Sequence, residues 1–411
     1  MTSPCISDVL PAEILRTILR YATSSPRVFD TSPENVSAAA QETANLLSFY
    51  GQDILDSLPT KRSLSRVSKL FHQLVEEFLL EAIVVTEYDR LAQLRIVLSS
   101  ERSMPRSGNG ALLKGSYCRR MDFLLGRRGH YWAGEGQYKG FKSLWGLLPN
   151  LTNLELLIID PYQSGTLWET QITLSKGFWS LLRTRCAHSL RLLHINNVEA
   201  DAGHIHLALA PFTNLESLEL RGGWHGRTLP PETPTTTLPR LHNLRAFYPE
   251  IMSSISMPAL QHAAIITSTI ISDGSTLKIR PDVLTELDYC GPPMDIFELC
   301  DAFPNLRRFG IYKPRISNPG SIPWTHNGGC AEKLEEIDVF NLHSLSLAPS
   351  LIHTLVTHCR VGSFPALRRV KYVEQECYFH EAEVQSVEPD SKSLTQLGID
   401  FIIEKKWFPL Y

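Results

Sequence analysis

The chain has 411 residues, of which 43% are hydrophobic and 20% are charged, and this balance is ordinary for a folded protein and excludes global disorder. The formal net charge of -3 at pH 7 is small, so no overall field favours nucleic acid, and we expect no nucleic-acid partner. No stretch approaches the roughly 18 uninterrupted apolar residues of a membrane span, and residues 1–23 lack the pattern of a signal peptide. We therefore expect no membrane association and a cytoplasmic or nuclear location.

The first predicted helix begins near Leu10. Leu10, Ile14 and Ile18 follow one another at four-residue steps, which is typical of an amphipathic helix. Pro11 suits a first helical turn, because its missing N–H would have no intrahelical partner there. A second amphipathic stretch runs from Lys61 to Ala82. Two helices of this size bury each other only in part, so apolar surface is left for the repeats or for a partner protein.

These helices carry two motifs that resemble the F-box. The first is Leu-Pro-Ala-Glu-Ile-Leu at residues 10–15, and the second is Val-Ser-Lys-Leu-Phe at residues 67–71, with Ser68 where the family commonly has cysteine. The chain departs from the family in an insertion at about residues 24–60, whose segment Glu34 to Ser57 has a composition that favours an extra helix. The resemblance implies binding to the Skp-type adaptor of a cullin-RING ubiquitin ligase. The residues that would make this contact are Leu10, Pro11, Ile14, Leu15, Ile18, Leu64, Val67 and Phe71.

Residues 83–125 are expected to link the helices to the rest of the chain. The apolar residues 83–85 predict a strand, residues 89–98 a helix, and residues 120–124 the strand of a first repeat. The segments 1–82, 83–125 and 126–411 are thus the predicted domain organisation.

A phrase of the form Leu-x-x-Leu-x-Leu returns many times after residue 150. Neighbouring copies start about 16 to 36 residues apart, which overlaps the range of leucine-rich repeats. Each copy predicts one short strand whose first, fourth and sixth residues point into a shared core. The copies begin at Leu154, Leu190, Leu215, Leu244, Leu260, Leu284, Leu306, Leu334, Leu367 and Leu394.

Several copies depart from the standard repeat. The asparagine that usually follows the third apolar position is absent from the copies that were compared, and Pro249 and Ala263 stand where leucine-like residues belong. Parallel strands should line a concave side, with helices and loops on the convex side. The predicted fold class is therefore α/β, an F-box-like helical segment followed by an irregular leucine-rich-repeat solenoid.

Residues between the inward leucines should face the concave side and form a candidate target-binding stripe. Its acidic, basic and aromatic members suit a protein ligand with its own charge pattern. They are Glu219, Arg221, Glu286, Asp288, Arg308, Tyr312, Glu336, Asp338, Phe340, Arg369 and Lys371, with His194 and Asn196 beside them.

No motif for catalysis or for a cofactor is evident. The eight cysteines are scattered without a Cys-x-x-Cys pair, so we expect free thiols and no metal site. No Gly-x-Ser-x-Gly elbow exists, and His204 and His206 lack a third ligand nearby. An F-box followed by degenerate leucine-rich repeats resembles the substrate receptors of SCF-type ubiquitin ligases, so the expected function is non-catalytic target binding. The alternative is a leucine-rich scaffold outside any ligase, whose N-terminal helices only cap the repeats.

Overall fold

The structure is a computed structural model, and it describes the chain in separate stretches. These are residues 10–24, 26–31, 52–87, 90–101, 113–124, 145–160, 172–174, 176–196, 198–201, 208–220, 224–225, 236–246, 255–266, 280–290, 295–312, 329–341, 348–375 and 381–406. Most of the extra helix that the sequence predicts between Glu34 and Ser57 lies outside them.

The described residues form two compact units, the first extending to His225 and the second beginning at Thr236. The helices of the first unit are α1 (Ala12–Thr23), α2 (Gln52–Ser65), α3 (Lys69–Glu81), α4 (Arg90–Ser99) and α5 (Lys176–Cys186). Those of the second unit are α6 (Ile296–Ala302), α7 (Ala348–Arg360) and α8 (Glu381–Gln396). The contacts thus group the N-terminal helices with the first strands, whereas the predicted boundaries at residues 82 and 125 stay a prediction.

Parallel strands make up the sheet portion of both units. In the first unit they follow the order β1 (Ala82–Val85), β2 (Arg120–Phe123), β3 (Leu156–Ile159), β4 (Leu192–Ile195) and β5 (Ser217–Leu220). In the second they are β6 (Asn243–Ala246), β7 (His262–Ile266), β8 (Glu286–Cys290), β9 (Arg308–Tyr312), β10 (Glu336–Asn341), β11 (Arg369–Gln375) and β12 (Asp400–Lys406).

The strand order is linear and follows the chain, and the sheet does not close on itself. Two small sheets of described residues lie outside it. In the first unit three strands follow the order Ile172–Thr173, Val198–Asp201 and Trp224–His225, and in the second unit Thr236–Thr237 pairs with Ile255–Ser256. The prediction of a mixed α/β fold with parallel strands is confirmed, and the open order is consistent with a solenoid-like arrangement.

The prediction of one amphipathic helix from Lys61 to Ala82 is wrong in its extent, because two helices, α2 and α3, share this stretch. α2 begins at Gln52 and runs through Pro59, which is exposed. The break falls at residues 66–68, where Ser68 adopts an extended conformation and its side-chain oxygen accepts a hydrogen bond from the Phe71 amide at 3.1 Å. Ser68 is therefore the N-cap of α3, a role for which serine is strongly preferred.

The register shows which residues of the repeated phrase pair with one another. Leu157 pairs with Leu193 and Leu193 with Leu218, so the fourth positions of successive copies align and are buried. The fourth and sixth positions of the phrase form the core face of the strands. The opposite face carries the third and fifth positions, and we call it the variable face.

Two copies of the phrase are out of phase with the prediction. Leu244 pairs with Ala263, which pairs with Leu287, so Leu244 occupies a fourth position rather than a first. Leu394 lies in the last turn of α8, and the strand that follows begins at Asp400 with Phe401 at the fourth position. Leu238, Leu241 and Leu244 offer alternative three-residue spacings, and the phrase alone does not distinguish these.

Asparagines that precede the first leucine of a copy join neighbouring copies. Asn153, Asn214 and Asn305 each donate a side-chain N–H to a backbone carbonyl of the preceding copy, each at 2.7 Å. The acceptors are the carbonyls of Ser116, His188 and Asp282. These bonds satisfy carbonyls at the turns before the strands and give the asparagine before the first leucine a structural role.

Candidate interaction surfaces

Helix α1 presents an apolar stripe to solvent. Ile14 is 47% exposed and Ile18 is 51% exposed, and Tyr21 continues the stripe one turn further on. The other side of the helix is buried, because Leu15 and Leu19 pack against Leu74, Val75 and Phe78 of α3. The hydrophobic core of the helix pair is thus formed without Ile14 and Ile18.

The other predicted adaptor-binding residues fall into three groups. Pro11 is exposed, and Val67 in the break before α3 is 63% exposed. Leu10, Leu64 and Phe71 are partly buried against the core of the helix pair. Leu15 is fully buried, so it stabilises the helix pair and is not a contact residue on the surface. We call Pro11, Ile14, Ile18 and Val67 the docking face.

In the first unit, glutamate and arginine alternate from one copy of the phrase to the next at the second position. We call this row of charges the ladder. Arg119 donates two hydrogen bonds to Glu155, at 2.6 and 2.9 Å, and one to Glu81 at 2.8 Å. Arg191 donates two to Glu216, at 2.9 and 2.7 Å. Bidentate arginine–carboxylate pairs are geometrically specific, so this ladder fixes the relative positions of adjacent strands.

The variable face of the first unit is apolar over β3 and carries a buried ion pair on β2. On β4 it is mixed, because Leu192 is followed by His194, which lies 3.6 Å from the buried Glu219 carboxylate of β5. Leu156, Ile158 and Leu192 form a cluster there. Beside it, the side chains of Arg120 and Asp122 are 0% exposed and joined at 2.7 Å. Arg120 also donates to the backbone carbonyl of Val28 at 2.5 Å. An ion pair without access to water requires such a full set of partners, since desolvation of each charge is costly.

Residues 26–31, which belong to the insertion after α1, lie on this face, and we call them the strap. Phe29 packs against the apolar cluster, and the Arg119 guanidinium lies 4.4 Å from its ring centroid. Thr31 donates its hydroxyl to Glu216 at 2.6 Å. The predicted insertion is therefore tied to the repeat strands in this part of the chain.

The variable face of the second unit is charged instead of apolar. Its third positions alternate in sign across five paired strands, in the order Glu286, Arg308, Glu336, Arg369 and Asp400. Lys371 donates to Glu336 at 2.5 Å, and Arg369 donates to the same carboxylate at 3.3 Å.

Arg308 is the centre of this charged network. It donates to Asp338 at 2.7 and 3.0 Å and lies 3.1 Å from Asp288. Gly310 pairs with Asp288 on one neighbouring strand and with Asp338 on the other. A Cβ atom at Gly310 would come within 3.2 Å of Phe340 and would overlap the Asp288 carboxylate. Glycine thus leaves the space in which two carboxylates approach one arginine.

The two aspartates differ in pKa. Burial alone would raise the pKa of Asp288, but Arg308 and His262 hold it well below its usual range. Burial raises the pKa of Asp338 to about 6, because Arg308 and Lys371 only partly offset the desolvation and Glu336 adds a like charge. The pKa of Glu336 is lowered, since the effect of burial is outweighed by the hydrogen bond and charge of Lys371 together with the charge of Arg308. One carboxyl of this network therefore titrates near neutral pH.

Much of the predicted target-binding stripe is buried, and this corrects the prediction for those residues. Glu219, Asp288, Asp338 and Phe340 are buried, as are His194 and Asn196. Glu286, Arg308, Glu336 and Lys371 are partly buried, and Arg369 is exposed. Arg221 and the side chain of Tyr312 lie outside the described part of the chain. Facing away from the leucine core does not by itself expose a side chain, because other chain segments and paired charges cover this face.

The sequence prediction missed Arg119, Arg120 and Asp122. The signal for Arg119 was present in the sequence as an alternation of sign at one position of the phrase, in Glu81, Arg119, Glu155, Arg191 and Glu216. No local pattern indicated the Arg120–Asp122 pair, because its third partner, Val28, is distant in sequence.

No protein-family model matches the chain, and no curated protein shows significant similarity to it. Within the described stretches, no helix is long and apolar enough to cross a membrane. In the same stretches no three histidine, cysteine or acidic side chains are grouped so that they could hold a metal ion.

Proposed function

We propose that the chain is the substrate-recognition subunit of an SCF-type ubiquitin ligase. In this role the docking face binds a Skp-type adaptor, and the strands carry a target protein to the ubiquitin-transferring enzyme, so that the chain contributes proximity rather than chemistry. The observation that carries the proposal is the exposure of Ile14 and Ile18 within and next to the Leu-Pro-x-Glu-Ile-Leu motif. Exposed aliphatic residues on a helix are the usual anchors when helices dock on a partner protein.

The repeat strands support the second half of the proposal. We interpret them as degenerate leucine-rich repeats, because the fourth positions align in the register and the asparagine side chains link successive copies. Repeats of this kind offer a long row of side chains to a partner. The exposed charged members in the second unit, Arg369 and Asp400 above all, are the best candidates for contact with a target.

Co-purification with the Skp-type adaptor tests the docking half. An Ile14→Asp/Ile18→Asp variant should lose binding by a factor of 100 or so, since two buried charges replace two apolar anchors. The fold should be retained because both side chains are exposed. Ile96→Asp is the matched control: Ile96 is 71% exposed on α4, outside the docking face, and its substitution should leave binding unchanged.

The outcomes separate the ligase receptor from a scaffold whose helices only cap the repeats. A cap must bury its apolar face against the repeats, whereas Leu10, Leu64 and Phe71 are partly buried against the core of the helix pair. Failure of the wild-type chain to bind the adaptor, or equal binding by the Ile14→Asp/Ile18→Asp variant, would reject the receptor and leave the scaffold.

A further inference from the structure

The strap makes three successive contacts of the kind that a protein makes with a bound peptide. Arg120 contacts the backbone carbonyl of Val28, whose side chain is buried with Ile54 and Ala82. Phe29 inserts its ring between the Arg119 guanidinium and the apolar cluster. Thr31 then donates to Glu216 just before β5. The strap thus crosses strands from β2 to β5, about 14 Å at the usual strand spacing.

The residues that hold the strap are themselves held by other partners. Asp122 fixes Arg120, with hydrogen bonds from Nε and Nη2. Glu81 and Glu155 fix Arg119, and Arg191 fixes Glu216. Because these pairs do not involve the strap, the groove keeps its shape without it, and such pre-organisation is what lowers the entropic cost of binding.

We propose that this groove is a peptide-binding site and that the strap is its internal, displaceable occupant. The ligand class is a short peptide that can form one 3-10 turn, as Pro26–Phe29 do, with an aromatic residue at the end of the turn and a serine or threonine two positions later. The apolar cluster and the cation of Arg119 select the aromatic ring, and the Glu216 carboxylate, an acceptor without a proton to donate, selects a hydroxyl donor. This site is independent of the docking face and of the proposed ligase function.

A tethered occupant competes strongly with a free peptide. A short linker gives the strap an effective concentration in the millimolar range, so a peptide in solution displaces it poorly from the wild-type chain. Weakening the strap while leaving the groove unchanged should therefore reveal the site.

The test uses the full chain with the substitutions Phe29→Ala and Thr31→Ala, and a labelled synthetic peptide of residues 24–33 as the probe. The double variant should bind the peptide saturably, at least tenfold more tightly than the wild type does. The matched peptide with alanine at positions 29 and 31 should not bind. Fluorescence anisotropy measures the affinities, and circular dichroism with thermal unfolding checks the fold. A folded variant that binds neither peptide overturns the proposal.

A second measurement decides the case if the double variant does not fold. Hydrogen exchange of the wild-type chain reports whether the strap opens locally or only with the whole unit. The proposal expects amides of residues 28–31 to exchange at least tenfold faster than those of β2. Equal protection of the two segments would show that the strap is a fixed part of the core and would overturn the proposal.

Discussion

The two units use the same strand geometry but place opposite chemistry on the variable face. In the first unit the face is apolar around Leu156, Ile158 and Leu192, and residues of the insertion lie on it. In the second unit the same positions carry charges that pair across neighbouring strands. The core faces of both units are alike, so the variable face is where the units differ.

The difference has an energetic consequence. Apolar surface gains free energy simply by being covered, roughly 25 cal/mol per Å², so a segment such as the strap stabilises the first unit without strict geometry. Buried charges gain nothing unless each one finds a partner, because the desolvation penalty otherwise exceeds the Coulomb attraction. The second unit should therefore depend on pH, and the first on the buried pair of Arg120 and Asp122.

The largest expected effect is the loss of that pair. Arg120→Met should destabilise the first unit by about 3–5 kcal/mol, since the buried Asp122 carboxyl would be left without its partner and without water. The Val28 carbonyl would also lose its donor. Urea unfolding followed by tryptophan fluorescence measures the change, because Trp179 is buried in this unit.

The double variant Arg120→Met/Asp122→Leu is the control for that prediction. It removes both charges and should recover most of the stability, because an apolar pair of similar volume has no desolvation penalty. A double variant as unstable as Arg120→Met would mean that the contact with Val28, and not the unpaired carboxylate, dominates the loss.

The second unit should respond to pH through Asp338. Its pKa in the folded chain is about 6, above the ordinary 3.8, so the folded state holds the proton more tightly than the unfolded state does. The stabilisation is complete below the unfolded pKa and is lost as the pH rises through about 6. The shift corresponds to roughly 3 kcal/mol, at about 1.4 kcal/mol for each pKa unit.

Asp338→Asn should remove this slope between about pH 4 and pH 6, as measured by chemical unfolding of wild type and variant at several pH values. Asp282→Asn is the matched control, because Asp282 is exposed and its hydrogen bond from Arg280 lowers its pKa instead of raising it. Parallel pH profiles for wild type and Asp338→Asn would contradict the assignment. Asp288 and Glu336, whose pKa values are lowered, contribute in the opposite direction and are present in both chains.

The contrast between the core face and the variable face also shows which features the sequence can predict. The helix at Leu10 and the strands at most leucine phrases follow from local periodicity, which depends only on neighbouring residues. Which position of the repeat Leu244 and Leu394 occupy depends on how their segments pair with other strands. The Leu-x-x-Leu-x-Leu phrase carries no information about that pairing. Burial of Asp338 and the position of Phe29 depend on contacts with residues far away in sequence, which periodicity does not report.

The smallest expected effect concerns a feature that both units share. Asn153→Ala removes the hydrogen bond to the Ser116 carbonyl in the first unit. Asn305→Ala removes the one to the Asp282 carbonyl in the second, together with an exposed hydrogen bond that Lys333 donates to Asn305. The bond of Asn153 is partly buried and should contribute about 1 kcal/mol. That of Asn305 is exposed, and water replaces it, so about 0.5 kcal/mol is expected.

Chemical unfolding of the two variants therefore tests whether the units differ only on the variable face. Similar small losses, ordered by burial, are expected because the same asparagine linkage connects the copies in both units. A loss of several kcal/mol in one unit alone would mean that its asparagines stabilise more than one turn. The difference between the units would then extend to the turns that precede the strands, where the asparagine linkage lies.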